Sequence, residues 1–186
     1  MEKNRRIYLT GFMTSGKSTI GPILSNVLGW DFYDLDKVIE QKEKMTVVEI
    51  FETKGEQYFR KLEETMLKAL SVDENLVVSL GGGTIDNTEN LKLIKDNGIL
   101  IYLKVSPDVL YKRLRNKIDR PLFKDLVLGE KSEAEFVKRI SDILEKRETN
   151  YKMADLEINT DETRVGYTVD NLAKKIMNLI NGKNSN

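Results

Sequence analysis

The sequence predicts an α/β fold in three layers, with about five parallel strands in a central sheet. Three observations predict it. Short β-rich apolar runs alternate with segments of helical period along the whole chain. Each pair of successive strands is separated by at least one helix, so the strands must be joined by parallel crossovers. The chain has 186 residues, 40% hydrophobic and 32% charged, which is ordinary usage for one globular domain.

The elements follow in order. Ile7-Tyr8-Leu9 reads as a short strand and leads into a Gly-rich turn. Over 17–28, Ile20, Ile23, Leu24, Val27 and Leu28 fall on one helical face, and Gly29 suits a C-cap. Pro22 breaks the local rule inside that helix and is expected to kink or tighten it. Phe32-Tyr33 starts a second strand that ends in Asp34-Leu35-Asp36. Thr46 and Glu49 have the spacing of a capping box, and Gly55 stops the helix they open. The next helix is expected to face inward through Phe59, Leu62, Met66 and Leu70. Leu76 to Leu80 is a buried-type strand that ends in Gly81-Gly82-Gly83. A helix over about 87–97 and a largely apolar strand over 99–105 come next. Ser106-Pro107 combines a capping hydroxyl with Pro at the first turn of a helix that ends near Arg115. Residues 116–131 are polar and aperiodic, and are expected to form a mobile loop. A charged helix over about 132–150, a short strand at Leu156-Glu157-Ile158 and a last amphipathic helix through Val169, Leu172, Ala173, Ile176 and Ile180 complete the chain.

Composition narrows the chemistry. Lys plus Arg is 30 and Asp plus Glu is 30, so no basic footprint for nucleic acid exists at the level of the whole chain. With no Cys and no His, there is no thiolate, no imidazole base and no thiolate or imidazole metal site. Acid–base work falls to carboxylates, Lys or Tyr, and any metal to oxygen ligands, which favours Mg²⁺ or Ca²⁺. The charged start, without an apolar h-region, and the lack of any long apolar run lead to the expectation of a cytoplasmic protein with no membrane contact.

Gly11-Phe12-Met13-Thr14-Ser15-Gly16-Lys17-Ser18 matches G-x-x-x-x-G-K-[ST], the phosphate-binding P-loop, between the first strand and the first helix. A chance match in a chain this long is about 1% at average residue usage. Glycines let backbone N–H groups turn around an anion, and the helix N-terminus adds its dipole. Lys17 can reach the β- and γ-phosphates, and the Ser18 hydroxyl can bind Mg²⁺. A nucleotide site alone does not name a reaction. Asp34 and Asp36, Arg60 and the three glycines at 81–83 lie at or near strand ends beside this loop, and together they suggest an acceptor pocket.

The ordered set of motifs resembles the shikimate kinase family over nearly the whole chain. It comprises Gly-Phe-Met-x-Ser-Gly-Lys-Ser-Thr, Asp-Leu-Asp followed by Ile39-Glu40, Ile50-Phe51, and Gly55-Glu56 running on to Phe59-Arg60 and Glu63-Glu64. It continues with Val78-Ser79-Leu80-Gly81-Gly82-Gly83, Arg120-Pro121-Leu122, and Lys146-Arg147 before Tyr151. The resemblance implies a single P-loop kinase domain over 1–186, with an acceptor-binding helical region at about 34–62 and a lid at about 116–131. It implies phosphorylation of the shikimate 3-hydroxyl with ATP and Mg²⁺, and a chain of this size with no exposed repeat is expected to be a monomer. Lys17, Asp36 and Arg120 would be catalytic, with Asp36 on the ring hydroxyls and Arg120 swinging in on the lid. Thr14, Ser15, Gly16, Lys17, Ser18, Thr19, Arg113 and Arg120 would bind the nucleotide, with Arg113 packing on adenine. Arg60 and Arg147 would clamp the substrate carboxylate, and Gly81, Gly82, Gly83, Phe51, Phe59 and Glu63 would line or support its pocket. Ser18 and Asp34 would hold the metal.

Three positions depart from the family pattern: Thr14 for Gly in the phosphate loop, Thr84 for a small apolar residue, and Lys152 for Arg. Read without the resemblance, Arg147 belongs to a run of charges that suits a solvated helix face. Two other readings stay open at this stage. One is a P-loop kinase for gluconate or a nucleoside monophosphate. The other is a non-catalytic nucleotide-binding regulatory module.

Overall fold

Five parallel strands, β1 (Arg6–Thr10), β2 (Asp31–Asp34), β3 (Leu76–Ser79), β4 (Ile99–Lys104) and β5 (Leu156–Asn159), form one sheet in the order β2-β3-β1-β4-β5. The computed structural model describes residues 5–116, 123, 125, 127, 129, 132–161 and 164–181. Ile7 is paired with Val77 on one side and Ile99 on the other, so β1 is central and buried on both faces. The chain leaves β1 for the β2 edge, returns through β3, and then crosses to β4 and β5. The winding therefore reverses at the carboxyl end of β1, and a crevice opens there.

Side chains alternate between the two faces of the sheet. Ile7, Leu9, Val77, Ile101 and Leu103 pack under α1 (Lys17–Leu28) and α8 (Val165–Ile180). Tyr8, Val78, Leu100 and Tyr102 pack on the other side, with α2 (Leu35–Glu43), α3 (Val47–Lys54), α4 (Glu56–Leu70) and α5 (Thr88–Asn97). A third cluster joins Phe12, Leu110 and Leu114 of α6 (Pro107–Leu114), Phe123, and Phe136 and Ile140 of α7 (Glu133–Tyr151). These are the three layers expected.

The local signals hold at most boundaries. Gly29 takes the left-handed conformation after α1, at φ 68°. Thr46 and Glu49 form a complete capping box, and so do Ser132 and Glu135. Helix α1 runs unbroken through Pro22, whose ring faces solvent. Two expectations are corrected. The Ser106 side chain does not cap α6; instead its backbone N–H donates to Asp161 Oδ1 at 2.8 Å. On α4 the buried positions are Phe59, Glu63, Leu67 and Leu70, while Leu62 and Met66 are only half-buried. A carboxylate thus occupies the inward face, where polar partners described below receive it.

Backbone packs closely at Gly98, where α5 gives way to β4. Gly98 has ordinary extended dihedrals, yet a Cβ there would stand 2.5 Å from the Arg6 carbonyl oxygen and 2.7 Å from the Tyr8 ring. Gly98→Ala is expected to destabilise the fold by about 1–3 kcal/mol, because backbone cannot yield as a flexible side chain does. Thermal unfolding checks this: a melting temperature equal to wild type would contradict the packing.

Candidate active site

The phosphate loop lies where the winding reverses. Gly11 holds φ 149°, and a Cβ there would meet the Leu103 carbonyl oxygen at 2.7 Å, so the loop can close against β4 only with glycine. Gly16, at φ 105°, turns the chain into α1. Thr14 sits at φ 61° without being glycine, a conformation that costs about 1–2 kcal/mol for an L residue. Its carbonyl accepts from Arg113 Nη1 at 3.1 Å, and the Ser15 carbonyl accepts from the Thr160 hydroxyl at 3.1 Å. Lys17 is buried, its ammonium donating to the carbonyls of Gly11 at 2.8 Å and Phe12 at 3.1 Å. Thr14 Oγ1 and Ser15 Oγ are buried with no hydrogen-bond partner among the described residues, which fits a cradle whose partner is an anion.

Beside the loop lies a cavity of about 250 Å³, walled by Thr14, Gly16, Thr19, Arg113 and Thr160. Arg113 also donates Nη2 to the Thr160 carbonyl at 2.8 Å, so its guanidinium is fixed at the wall by two carbonyls. Ser18 Oγ donates to Asp34 Oδ2 at 3.5 Å, and Asp34 Oδ1 caps α2 by accepting from the Lys37 N–H at 3.3 Å. No cluster of three metal-ligating side chains exists among the described residues. One hydroxyl and one carboxylate fit Mg²⁺, which keeps several waters and takes further ligands from phosphate.

A second cluster of polar side chains is built on the three glycines after β3. A Cβ at Gly81 would stand 2.9 Å from Asp36 Oδ1 and 3.0 Å from Glu63 Oε1. One at Gly82 would stand 3.5 Å from Arg147 Nη1, and one at Gly83 would stand 3.0 Å from Arg60 Nη2. Asp36 from the first turn of α2, Arg60 and Glu63 from α4, and Arg147 from α7 therefore converge on one short run of backbone. Arg60 is held by Glu63 Oε2 at 3.0 Å and Glu56 Oε1 at 3.1 Å, and lies 5.4 Å from the centre of the Phe59 ring. The Phe51 and Phe59 rings are 4.9 Å apart, and Phe59 is buried. Tyr151, one turn beyond Arg147, stacks on Tyr102 with centroids 4.3 Å apart and planes 7° from parallel, which pins this end of α7 to β4.

Burial first, and then the carboxylates of Asp34 and Glu63, push the Asp36 carboxyl up from 3.8 to about 6, with Lys17 pulling the other way. Such a carboxyl can exchange a proton near neutrality.

The site residues named from the sequence fall into two groups. Thr14, Ser15, Gly16, Lys17, Ser18, Thr19 and Arg113 lie in or beside the phosphate loop and its cavity; Asp36, Phe51, Phe59, Arg60, Glu63 and Arg147 gather about Gly81, Gly82 and Gly83; Asp34 stands between the two groups. Arg120 and most of the expected lid lie outside the described residues. Phe123, from that segment, is fully buried, stacked 5.1 Å from Phe136 and edge-on 6.0 Å from Phe12 of the phosphate loop. Sequence reasoning missed Thr160 and Asp86, both recruited across the fold with no local motif to mark them. It noticed Thr84 only as a departure.

The structure accounts for that departure. Thr84 is fully buried, and its hydroxyl donates to Glu63 Oε1 at 2.6 Å, the donor that lets a carboxylate sit on the inward face of α4. Thr84→Val keeps the shape and removes the donor, so it is expected to cost about 1–3 kcal/mol in denaturant unfolding, whereas Thr84→Ser costs less. A valine variant as stable as wild type would contradict this role.

The family model for shikimate kinase matches residues 13–181. A shikimate kinase of Chlorobium limicola is 48% identical over 180 residues, covering 97% of this chain and 90% of its own length. The crystal structure of shikimate kinase from Bacteroides thetaiotaomicron matches with a TM-score of 0.81 at 36% identity, covering 95% of this chain and 98% of that one. Shikimate kinase from Acinetobacter baumannii, solved in complex with shikimate, matches with a TM-score of 0.81 at 32% identity, covering 100% and 97%. A phosphate loop at the winding reversal, a run of three glycines met by polar side chains beside it and likeness along nearly the full length of the chain agree: the chain belongs to the shikimate kinase family.

Proposed function

We propose that the chain transfers the γ-phosphoryl group of ATP to the 3-hydroxyl of shikimate through the two half-sites joined at Asp34 and Asp36. The observation that carries this reading is the convergence of one perturbed carboxyl and two guanidinium groups on Gly81–Gly83, next to a phosphate loop. Phosphoryl transfer needs positioning and charge stabilisation more than strong acid–base chemistry, which suits a site without His.

This reading gives the residues the following roles. Arg60 and Arg147 bind the substrate carboxylate, for which planar guanidinium forks are suited. Asp36 accepts a hydrogen bond from the attacking hydroxyl and takes its proton as the bond to phosphorus forms. Lys17 exchanges the Gly11 and Phe12 carbonyls for phosphate oxygens. Backbone N–H groups of residues 14–19 and the N-terminus of α1 hold the remaining phosphate charge. Arg113 flanks the adenine side. Ser18 and Asp34 would hold Mg²⁺, which supplies charge neutralisation at the phosphates when bound. The same reading has the protein act as a monomer in the cytoplasm, with residues of about 34–62 forming the acceptor side. Among the described residues no helix is long and apolar enough to cross a membrane.

Release of ADP from MgATP, with shikimate and then with gluconate as acceptor, tests the activity. Asp36→Asn should lower kcat by ~10²–10⁴-fold while nucleotide binding persists. In wild type, kcat/KM should rise with pH to a plateau above about 6, the value to which Asp36 is pushed. Stability carries a second signature. Between 3.8 and about 6 the folded chain keeps a proton on Asp36 that the unfolded chain has released, so stability falls as pH rises through that window. Asp36→Asn removes this cost, and at pH 7 the variant should be more stable than wild type by at most about 3 kcal/mol. Normal turnover by the variant, or lower stability at pH 7, would contradict the role given to Asp36.

A further inference from the structure

The two guanidinium groups on the acceptor side are held differently. Arg60 is gripped by Glu56 and Glu63 from its own helix, one turn to either side. Arg147 has no such partner among its helix neighbours in the ion pairs of the described residues. Tyr151, one turn on, also meets its side chain, and the carboxylate that holds it comes from the turn Thr84–Asp86, directly after the glycine run. Arg147 Nε donates to Asp86 Oδ2 at 3.1 Å, and Asn150, further along α7, donates Nδ2 to Asp86 Oδ1 at 3.3 Å. Arg147 is 18% exposed and Asp86 40%, so the pair is covered on the guanidinium side and open to solvent on the carboxylate side. The bond to Nε leaves the terminal nitrogens on the pocket side, where Nη1 is the atom that a Cβ at Gly82 would meet at 3.5 Å. The Asp86 N–H donates to the Gly83 carbonyl at 3.0 Å, which ties the carboxylate to the pocket floor itself.

We propose that Asp86 is the positioning residue of Arg147, turning its terminal nitrogens toward the carboxylate of the acceptor. This rests on the shikimate reading above. The alternative is a carboxylate that merely sits near the site. Charge alone distinguishes them, since an idle negative group beside an anionic substrate weakens binding, and its removal would tighten it. A group that orients Arg147 acts in the opposite sense.

The test is steady-state kinetics of wild type, Asp86→Ala, Asp86→Asn, Arg147→Ala and the Asp86→Ala/Arg147→Ala double variant, with MgATP and shikimate. Asp86→Ala should raise the KM for shikimate about tenfold, with kcat and the KM for ATP within about twofold of wild type. Asp86→Asn keeps an oxygen acceptor for Nε and should recover most of the loss. In the Arg147→Ala background, Asp86→Ala should have almost no further effect on the KM for shikimate, because the two act as one unit. An unchanged or lowered KM for shikimate in Asp86→Ala overturns the inference, as does a parallel rise in the KM for ATP or full additivity in the double variant. A wild-type chain that shows no shikimate-dependent turnover overturns the functional reading and this role with it. Normal wild-type turnover with any of the contrary variant results overturns this role alone.

Discussion

The close approach of polar side chains to the backbone of Gly81, Gly82 and Gly83 is the constraint on which the rest of the site depends. Each glycine admits a different group: Asp36 and Glu63 at the first, Arg147 at the second, Arg60 at the third, all at 2.9–3.5 Å from where a Cβ would lie. These groups come from α2, α4 and α7, which share no local sequence. They meet because β3 delivers the glycines at the carboxyl edge of the sheet, one strand from the phosphate loop on β1. A methyl group at Gly81 or Gly83 would crowd Asp36, Glu63 or Arg60, whereas at Gly82 it would meet Arg147 at ordinary contact distance.

Around that floor charge is balanced pairwise. Glu63 is fully buried, and it is tolerated because Arg60 and the Thr84 hydroxyl both donate to it. Arg60 also holds Glu56, and Arg147 holds Asp86. Asp36 has no such partner within its own helix, and stands near Asp34 and Glu63, which is why its proton is retained toward neutrality. The fold thus holds its arginines by carboxylates, while one carboxyl keeps its proton toward neutrality.

Much of this was legible in the sequence. The strand and helix periods, the capping box at Thr46 and Glu49, the stop at Gly29 and the phosphate loop are local signals whose causes lie within a few residues, and the structure repeats them. Asp36, Arg60 and the glycines at 81–83 were marked by their places at or near strand ends, whereas Glu63 and Arg147 were legible only through the family's ordered motifs. What stayed hidden depends on distant partners. Arg6 reads as an ordinary N-terminal charge, yet it is buried and donates to carbonyls of Val72, Asp73 and Asn97. Glu63 interrupts the apolar face of α4 because its donors come from α4 itself and from a turn 21 residues away. Ser106 carries a cap signature, but Asp161 supplies the bond from 55 residues on. Arg147 looks like part of a solvated run until α7 is pinned by the Tyr102–Tyr151 stack.

The proposed mechanism turns on a substrate carboxylate that, held by Arg60 and Arg147, places a hydroxyl before Asp36. Phosphoryl transfer to shikimate and to its methyl ester, measured side by side with MgATP, tests it most directly, because the ester keeps every ring hydroxyl and loses only the negative charge. The account predicts that kcat/KM for the ester falls by at least about 100-fold, the loss of a charge-assisted bidentate pair. Equal use of acid and ester would contradict it.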